Sequence, residues 1–323
     1  MKILVDIDEL QQQGIVTPEM AAALRDHALK DTGSTAINIL LAFGAIAVAA
    51  GLVAFTQTMG FTDTQGAGLS ALLGAAFIAA GFGARSQMQA LWGKLGSIWM
   101  VVGALVLAGS LGYLSNHPLL ASLLAAAIFG GVAWAAGSRL LAALVPLALE
   151  SAIGGSTGYW TACYEIVVQE PTITILLFAV LALAGWLAVQ RLAGIQQALA
   201  LAFTRVSIIL VNFGFWIGSL WGDSPGHLWK VPEGDYESYL HPQIPQLAFV
   251  IGWALALLAA GFWAAQNGRR FLVNTAATFG AIHLYTQWFE RFGADPLSVM
   301  LGGLATIGIG LGLWRYNRKA IEG

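Results

Sequence analysis

About ten times along this chain, a stretch close to 20 residues long is made almost wholly of Ala, Leu, Val, Ile, Phe, Gly and Trp. A helix needs about 20 mainly apolar residues to cross the hydrocarbon layer of a bilayer, so each stretch reads as a span. They run at 36–57, 66–84, 91–114, 118–136, 140–153, 172–190, 204–221, 247–266, 271–289 and 297–314. The fifth is the weakest. It is short, contains Pro146 and ends beside Glu150, which suits a tilted or partial crossing.

Composition enters as a check. Only 10% of residues are charged, against about 25% in a soluble domain, so this chain is solvated mainly by lipid. The 39 glycines fit, because Gly is commoner in membrane helices than in soluble ones. Cys163 is the sole cysteine, which excludes an intrachain disulfide and a thiolate metal cluster. Some 35 mostly polar residues precede the first apolar run, so that run is expected to be a retained anchor and not a cleaved signal. The expected fold is all-α: a polytopic transmembrane helix bundle over 36–314, with a cytoplasmic helix-turn-helix segment at 1–35 and a basic cytoplasmic tail at 315–323.

Orientation follows from the cations, since Lys and Arg near span ends stay cytoplasmic. Alternating the loops puts 13 of the 15 basic residues on one side and only Lys230 and Arg291 on the other. Of the 17 acids, ten fall outside and seven inside, so the two faces carry +6 and −8, which sum to the net −2. A span miscounted in the middle would abolish this separation. Both termini are therefore expected in the cytoplasm.

In the segment "ELQQQGIVTPEMAAAL", Gly14 is suited to end a first helix. Thr17, Pro18 and Glu19 then supply an N-cap, a first-turn proline and a dipole-favoured acid for a second. Leu10, Ile15, Val16, Met20 and Leu24 would form one small apolar face, suited to docking on the membrane domain or on a protein partner. Two outer loops, 154–171 and 222–246, exceed the usual length of connections, and long loops are often functional.

This N-terminal segment, followed by a Gly/Ala-rich span, resembles the start of a bacterial family of membrane proteins designated domain of unknown function 2157. The C-terminal stretch "NGRRFLVNTAATFGAIHLYTQWFERFG", a glycine-rich last helix and "WRYNRK" also look like that group, whose members have an Arg-rich turn, an "LVN" helix and a basic tail. The resemblance covers both ends and reaches the middle only through hydropathy. It implies a bacterial inner-membrane location and transfers no catalytic or binding residue.

The stretch 267–291 places polar groups where water is scarce. At about 100° per residue, His283, Gln287 and Glu290 share one stripe, with Asn274, Thr278, Tyr285 and Trp288 roughly opposite. Two polar stripes predict a helix enclosed on two sides. Glu150, Asn212, Asn274, His283, Gln287 and Glu290 are the candidates for an outward-facing polar cavity, since an intramembrane ionisable group is a functional hypothesis. The alternative is interhelical hydrogen bonding, which suffices to retain such residues. Asn212, near mid-depth, calls for a partner helix, and Arg205 can snorkel to the headgroups. Trp160, Tyr164, Trp229 and Tyr236 are candidates for an outer ligand surface, although Trp and Tyr also gather at membrane interfaces without a ligand. His227, His241, Asp223, Asp235 and Glu237 match no metal-binding spacing. Gly96 with Gly103, Gly130 with Gly131, and "LGGLATIGIGLGLW" are read as close-packing devices.

No phosphate-binding loop, dinucleotide fingerprint, zinc-protease motif or nucleophile elbow is present. Neither an enzyme nor a cofactor is expected, and topology explains the basic residues without nucleic acid. Two functions remain: transport or binding of a small molecule or lipid, and a non-catalytic interaction or envelope-sensing module with a cytoplasmic docking hairpin.

Overall fold

The computed structural model describes residues 60–85, 90–160, 163–230, 241–293 and 295–322, and before them residues 10–11, 15–24 and isolated positions between 44 and 58. Among the described residues the fold is all-α apart from one β-hairpin and an isolated bridge between Asp223 and Ile244. It divides into two compact units, Met1–Leu114 and Ser115–Gly323.

Among the described residues, six helices are long and apolar enough to cross a membrane. They are α1 (Asp63–Arg85) and α2 (Ala90–Ser115) in the first unit, with α3 (Pro118–Ala136), α5 (Pro171–Arg191), α6 (Gly194–Trp221) and α8 (Gln246–Gln266) in the second. The other expected spans fare differently. Helix α4 (Arg139–Ala152) has 14 residues and is about 21 Å long, short of the roughly 30 Å hydrocarbon thickness. Helix α9 (Arg270–Phe292) has 23 residues but too many polar ones to qualify by composition. The apolar part of α10 (Pro296–Glu322) ends at Gly312. The 36–57 run lies almost entirely outside the described residues.

At the N-terminus, residues 18–24 are helical. Thr17 Oγ1 accepts from Met20 N at 3.3 Å, and the Thr17 carbonyl accepts from Ala21 N at 2.8 Å. The expected cap is thus in place. The amides of Ile15 and Val16 both return to the Leu10 carbonyl, while the rest of the 1–35 segment lies outside the described residues.

In the first unit, α1 and α2 pack through facing glycines. A Cβ on Gly81 would stand 2.5 Å from the Gly96 carbonyl oxygen, and one on Gly103 would stand 2.6 Å from that of Gly74. Each pair is seven residues from the next on both helices, so the seam runs two turns. Phe77 and Trp99 meet edge-on beside it at 6.3 Å.

The second unit is a succession of helix hairpins. Gly137, at φ +66°, ends α3, and Ser138 caps α4 through Leu141 N. Helices α5 and α6 make the tightest pair: Gly185 lies against Thr204, and Gly214 against Pro171 and Thr174. Ile153, Phe178 and Leu210 form a buried cluster between α4, α5 and α6. Helix α8 packs on α6 and α9, and α10 packs on α9. Strands β1 (Ser156–Trp160) and β2 (Cys163–Val167) pair antiparallel, with Ser156 opposite Val167 and Trp160 opposite Cys163.

Gly137 lies close to Ile195, bringing the α3–α4 and α5–α6 turns to one end. Arg269 stacks over Trp186 at 4.8 Å and Arg205 over Phe271 at 4.9 Å, so the α8–α9 turn belongs to that end as well. The hairpin and the described parts of the following loop, 222–230 and 241–245, stand at the other.

The glycine expectation holds only in part. Gly130 meets nothing closer than Val145 at 3.9 Å, and Gly131, Gly303, Gly308, Gly310 and Gly312 have open space where a Cβ would stand. Spacing alone does not show which small residues have a helix opposite them.

Candidate functional site

Of the six candidate polar residues, Asn212 and His283 meet the same Trp253, Glu150 stands at a different helix contact, and Asn274 and Glu290 are exposed. Glu150, in the last turn of α4, is 5% exposed. Thr174 Oγ1 of α5 donates to its carboxyl oxygens, at 3.0 and 3.2 Å. Its main-chain carbonyl accepts from Ile153 N and Gly155 N. Gly155 sits so close to the carboxyl group that no side chain would fit there. Glu150 thus ends a helix and ties it to its neighbour.

Asn212 of α6 is buried with both halves of its amide used. Its Nδ2 donates to the Ile208 carbonyl at 2.8 Å, and its Oδ1 accepts from Trp253 Nε1 of α8 at 3.0 Å. The partner helix expected for Asn212 is therefore α8. Trp253, fully buried, meets the His283 ring of α9 edge-on at 4.8 Å and the Phe279 ring at 6.4 Å. Phe213 packs on Trp216 and Phe279, and Trp216 Nε1 donates to Thr286 Oγ1 at 3.1 Å. An aromatic column thus joins α6, α8 and α9.

On α9, His283 faces this column, while Glu290 is exposed. Nδ1 of His283 and Nε2 of Gln287 are buried without a hydrogen-bond partner. On the opposite stripe, Trp288 Nε1 donates to Ser298 Oγ of α10 at 2.7 Å, and Tyr285 and Phe289 lie near Gly302. Asn274 and Thr278 are exposed. The two-sided enclosure expected for this helix holds at the end near α10 and stops before Thr278.

Two acids of the long loops, Glu170 and Asp223, are tied into the backbone. Glu170, fully buried, accepts from Gly226 N and Leu228 N, both at 2.7 Å. Leu228 belongs to the short helix α7 (His227–Lys230). In return, Asp223 Oδ2 accepts from Thr172 N at 2.8 Å, and the Asp223 and Ile244 main chains exchange hydrogen bonds. Two loops separated by more than 50 residues are latched by these reciprocal carboxylates. The only local signal for the latch is Glu170 standing just before the Pro171 helix start. Of the aromatic candidates, Trp229 is 54% exposed; Tyr236 and the side chains of Trp160 and Tyr164 lie outside the described residues.

An apolar cavity of about 230 Å³ opens between α5, α6, α8 and α9. Ala182, Ile208, Val211, Phe215, Leu257 and Leu272 form its walls, and Asn212 and Trp253 close one side. Its rim residues Ala179, Ala256 and Ala260 are exposed, so it opens laterally, on the side of the molecule that lipid would cover. No sequence motif announces it, because it arises where alanines on three helices leave space. In the first unit, a separate cleft of about 450 Å³ lies between α1 and α2 beside Asp63, Ser70, Ser110 and Tyr113.

Six long apolar helices, whose exposed surfaces are rich in Leu, Ile, Val and Phe, define a multi-pass integral membrane protein. The chain matches no family model, no curated protein and no solved structure.

Proposed function

We propose that this protein is a non-catalytic inner-membrane protein that binds the hydrocarbon chain of a lipid or amphipathic small molecule in the lateral cavity between α5, α6, α8 and α9. The cavity carries this reading. It is larger than the roughly 150 Å³ apolar cavity that stays dry and takes up benzene. It is smaller than the roughly 300–1,000 Å³ of sites that enclose a drug-sized ligand. It would therefore hold part of a chain, with the remainder lying in the bilayer through the alanine rim. Binding is favoured over transport because Glu150 and Asn212 are engaged in separate helix contacts and form no continuous polar path.

The finer topology belongs to the same proposal: ten crossings, α4 being partial, with both termini cytoplasmic. The charge asymmetry supports it, and the family resemblance supports the inner membrane. Filling the rim tests the cavity. Photolabelling with a diazirine-bearing alkyl chain is expected to mark peptides containing 253–260 and 272–276. Ala260→Phe and Ala179→Phe, whose rings would fill the rim, should each cut that labelling about tenfold, the equivalent of about 1.4 kcal/mol of lost packing contact. Unchanged labelling in both variants would reject the reading. Exposed Ile15, Met20 and Leu24 favour a second role, docking of a protein partner at the N-terminus. Deleting residues 1–31 should then abolish co-purification of that partner while leaving photolabelling intact.

A further inference from the structure

Among the described residues, three buried side-chain polar atoms have no hydrogen-bond partner: Thr172 Oγ1 at the start of α5, and one atom each of His283 and Gln287, which share a stripe of α9. Asn212, Trp216, Trp253 and Trp288 all have partners for their polar atoms. Nδ1 of His283 and Nε2 of Gln287 are buried and have none. Four residues apart, the two project from one stripe of the helix. Native folds keep such unmet groups few, because a buried donor that has left water without a replacement is costly.

Their chemistry narrows what would satisfy them. Gln287 Nε2 carries only hydrogens and needs an acceptor, whereas a neutral imidazole Nδ1 donates or accepts according to its tautomer. An uncharged oxygen meets both needs: a carbonyl takes two donors, and a hydroxyl takes one and gives one. A cation would be repelled by the amide hydrogens, and a bare hydrocarbon would leave both atoms unmet.

Position narrows it further. Leu272, Thr275 and Ala276 of α9 line the cavity, and His283 follows Ala276 by seven residues, about 10 Å along the axis. Trp253 lines the cavity and meets the His283 ring edge-on at 4.8 Å, which places His283 one side chain from the cavity. The pair therefore lies toward the end of α9 bearing Glu290, with the cavity deeper along the helix. A membrane amphiphile has the same order, its oxygen-rich junction near the surface and its chain below.

We infer that His283 and Gln287 recognise the uncharged oxygen group, an ester carbonyl or a hydroxyl, of an amphiphile whose chain occupies the cavity. This rests on the chain-binding reading above and adds the class of polar group to it.

The full-length protein in nanodiscs of ether-linked phosphocholine, whose chains carry no carbonyl, is photolabelled with three diazirine probes of equal chain length: a fatty-acid methyl ester, a fatty alcohol and an oxygen-free alkane. If no probe marks 253–260 or 272–276, the chain-binding reading itself fails. If the alkane marks them and the oxygenated probes do so no better, chain binding stands and the present inference falls. The expected result is an advantage of about 5- to 100-fold for an oxygenated probe, the equivalent of two net hydrogen bonds. An advantage confined to the methyl ester would assign the carbonyl, and one confined to the alcohol would assign the hydroxyl. Gln287→Met, similar in length but without the amide, should reduce the advantage about 2- to 10-fold. It should also melt no lower than the wild type without probe, because it removes an unmet donor. An undiminished advantage in both Gln287→Met and His283→Phe overturns the inference, since the pair would then hold nothing beyond water.

Discussion

Trp253 and Asn212 show what a water-poor interior demands of a polar atom. The indole N–H and the amide oxygen satisfy each other across two helices at 3.0 Å, and neither would find a substitute if its partner were removed. Trp253→Phe should therefore destabilise the protein by about 1–3 kcal/mol, because it leaves Asn212 Oδ1 buried and unpaired. Adding Asn212→Leu to that chain should recover part of the loss, since both polar partners are then gone. Unfolding midpoints of the two single variants and the double variant form the cycle, and strictly additive losses would mean the bond contributes nothing. That Asn212 needs a partner was legible from its depth in an apolar run. That the partner is a tryptophan 41 residues away was not, because the pairing depends on how α8 lies on α6. Glu150 makes the same point: its place beside a short, proline-containing helix was readable, but the Thr174 hydroxyl that receives it was not.

At the scale of elements, glycine separates helices that must approach closely from helices that are merely rich in small residues. Gly81 and Gly103 face main-chain atoms of the opposite helix at distances no side chain tolerates. Gly81→Leu or Gly103→Leu must push α1 and α2 apart, at a cost above the roughly 1–3 kcal/mol typical of overpacking, because backbone cannot repack as side chains do. Gly308→Leu, with open space around it, should stay within about 0.5 kcal/mol of the wild type. Thermal unfolding of the three variants in one detergent checks the contrast, and similar losses in all three would show that α10 is also tightly packed in the membrane. The reciprocal latch of Glu170 and Asp223 is an element-scale device too. Glu170 takes up the amides of Gly226 and Leu228, and Asp223 that of Thr172, which ties residues 223–228 to the start of α5.

For the whole molecule, sidedness is the central physical claim. Within the second unit, the turns at Gly137, 192–193 and 267–269 share one end, and Glu150, Glu170 and Asp223 gather toward the other. Cations near anionic inner-leaflet lipid favour that orientation by about 1 kcal/mol each. With Cys163 replaced by Ser, Asn267→Cys should react with a membrane-impermeant maleimide only after the cells are opened. Gln169→Cys should react in intact spheroplasts. Labelling of both from the same side would dismantle the topology and, with it, any assignment of an outer end to α9.

The apolar runs by themselves determined the class of protein and the positions of six crossing helices, because a run of that length has no low-energy place except a helix in lipid. They did not separate full crossings from helices such as α4 and α9, whose length or polarity depends on what surrounds them. Only the tertiary structure decided which glycines are seams, which acids are latches, and where alanines on three helices leave a cavity. Each of these is a relation between surfaces far apart in sequence, and such relations exist only once the helices have packed.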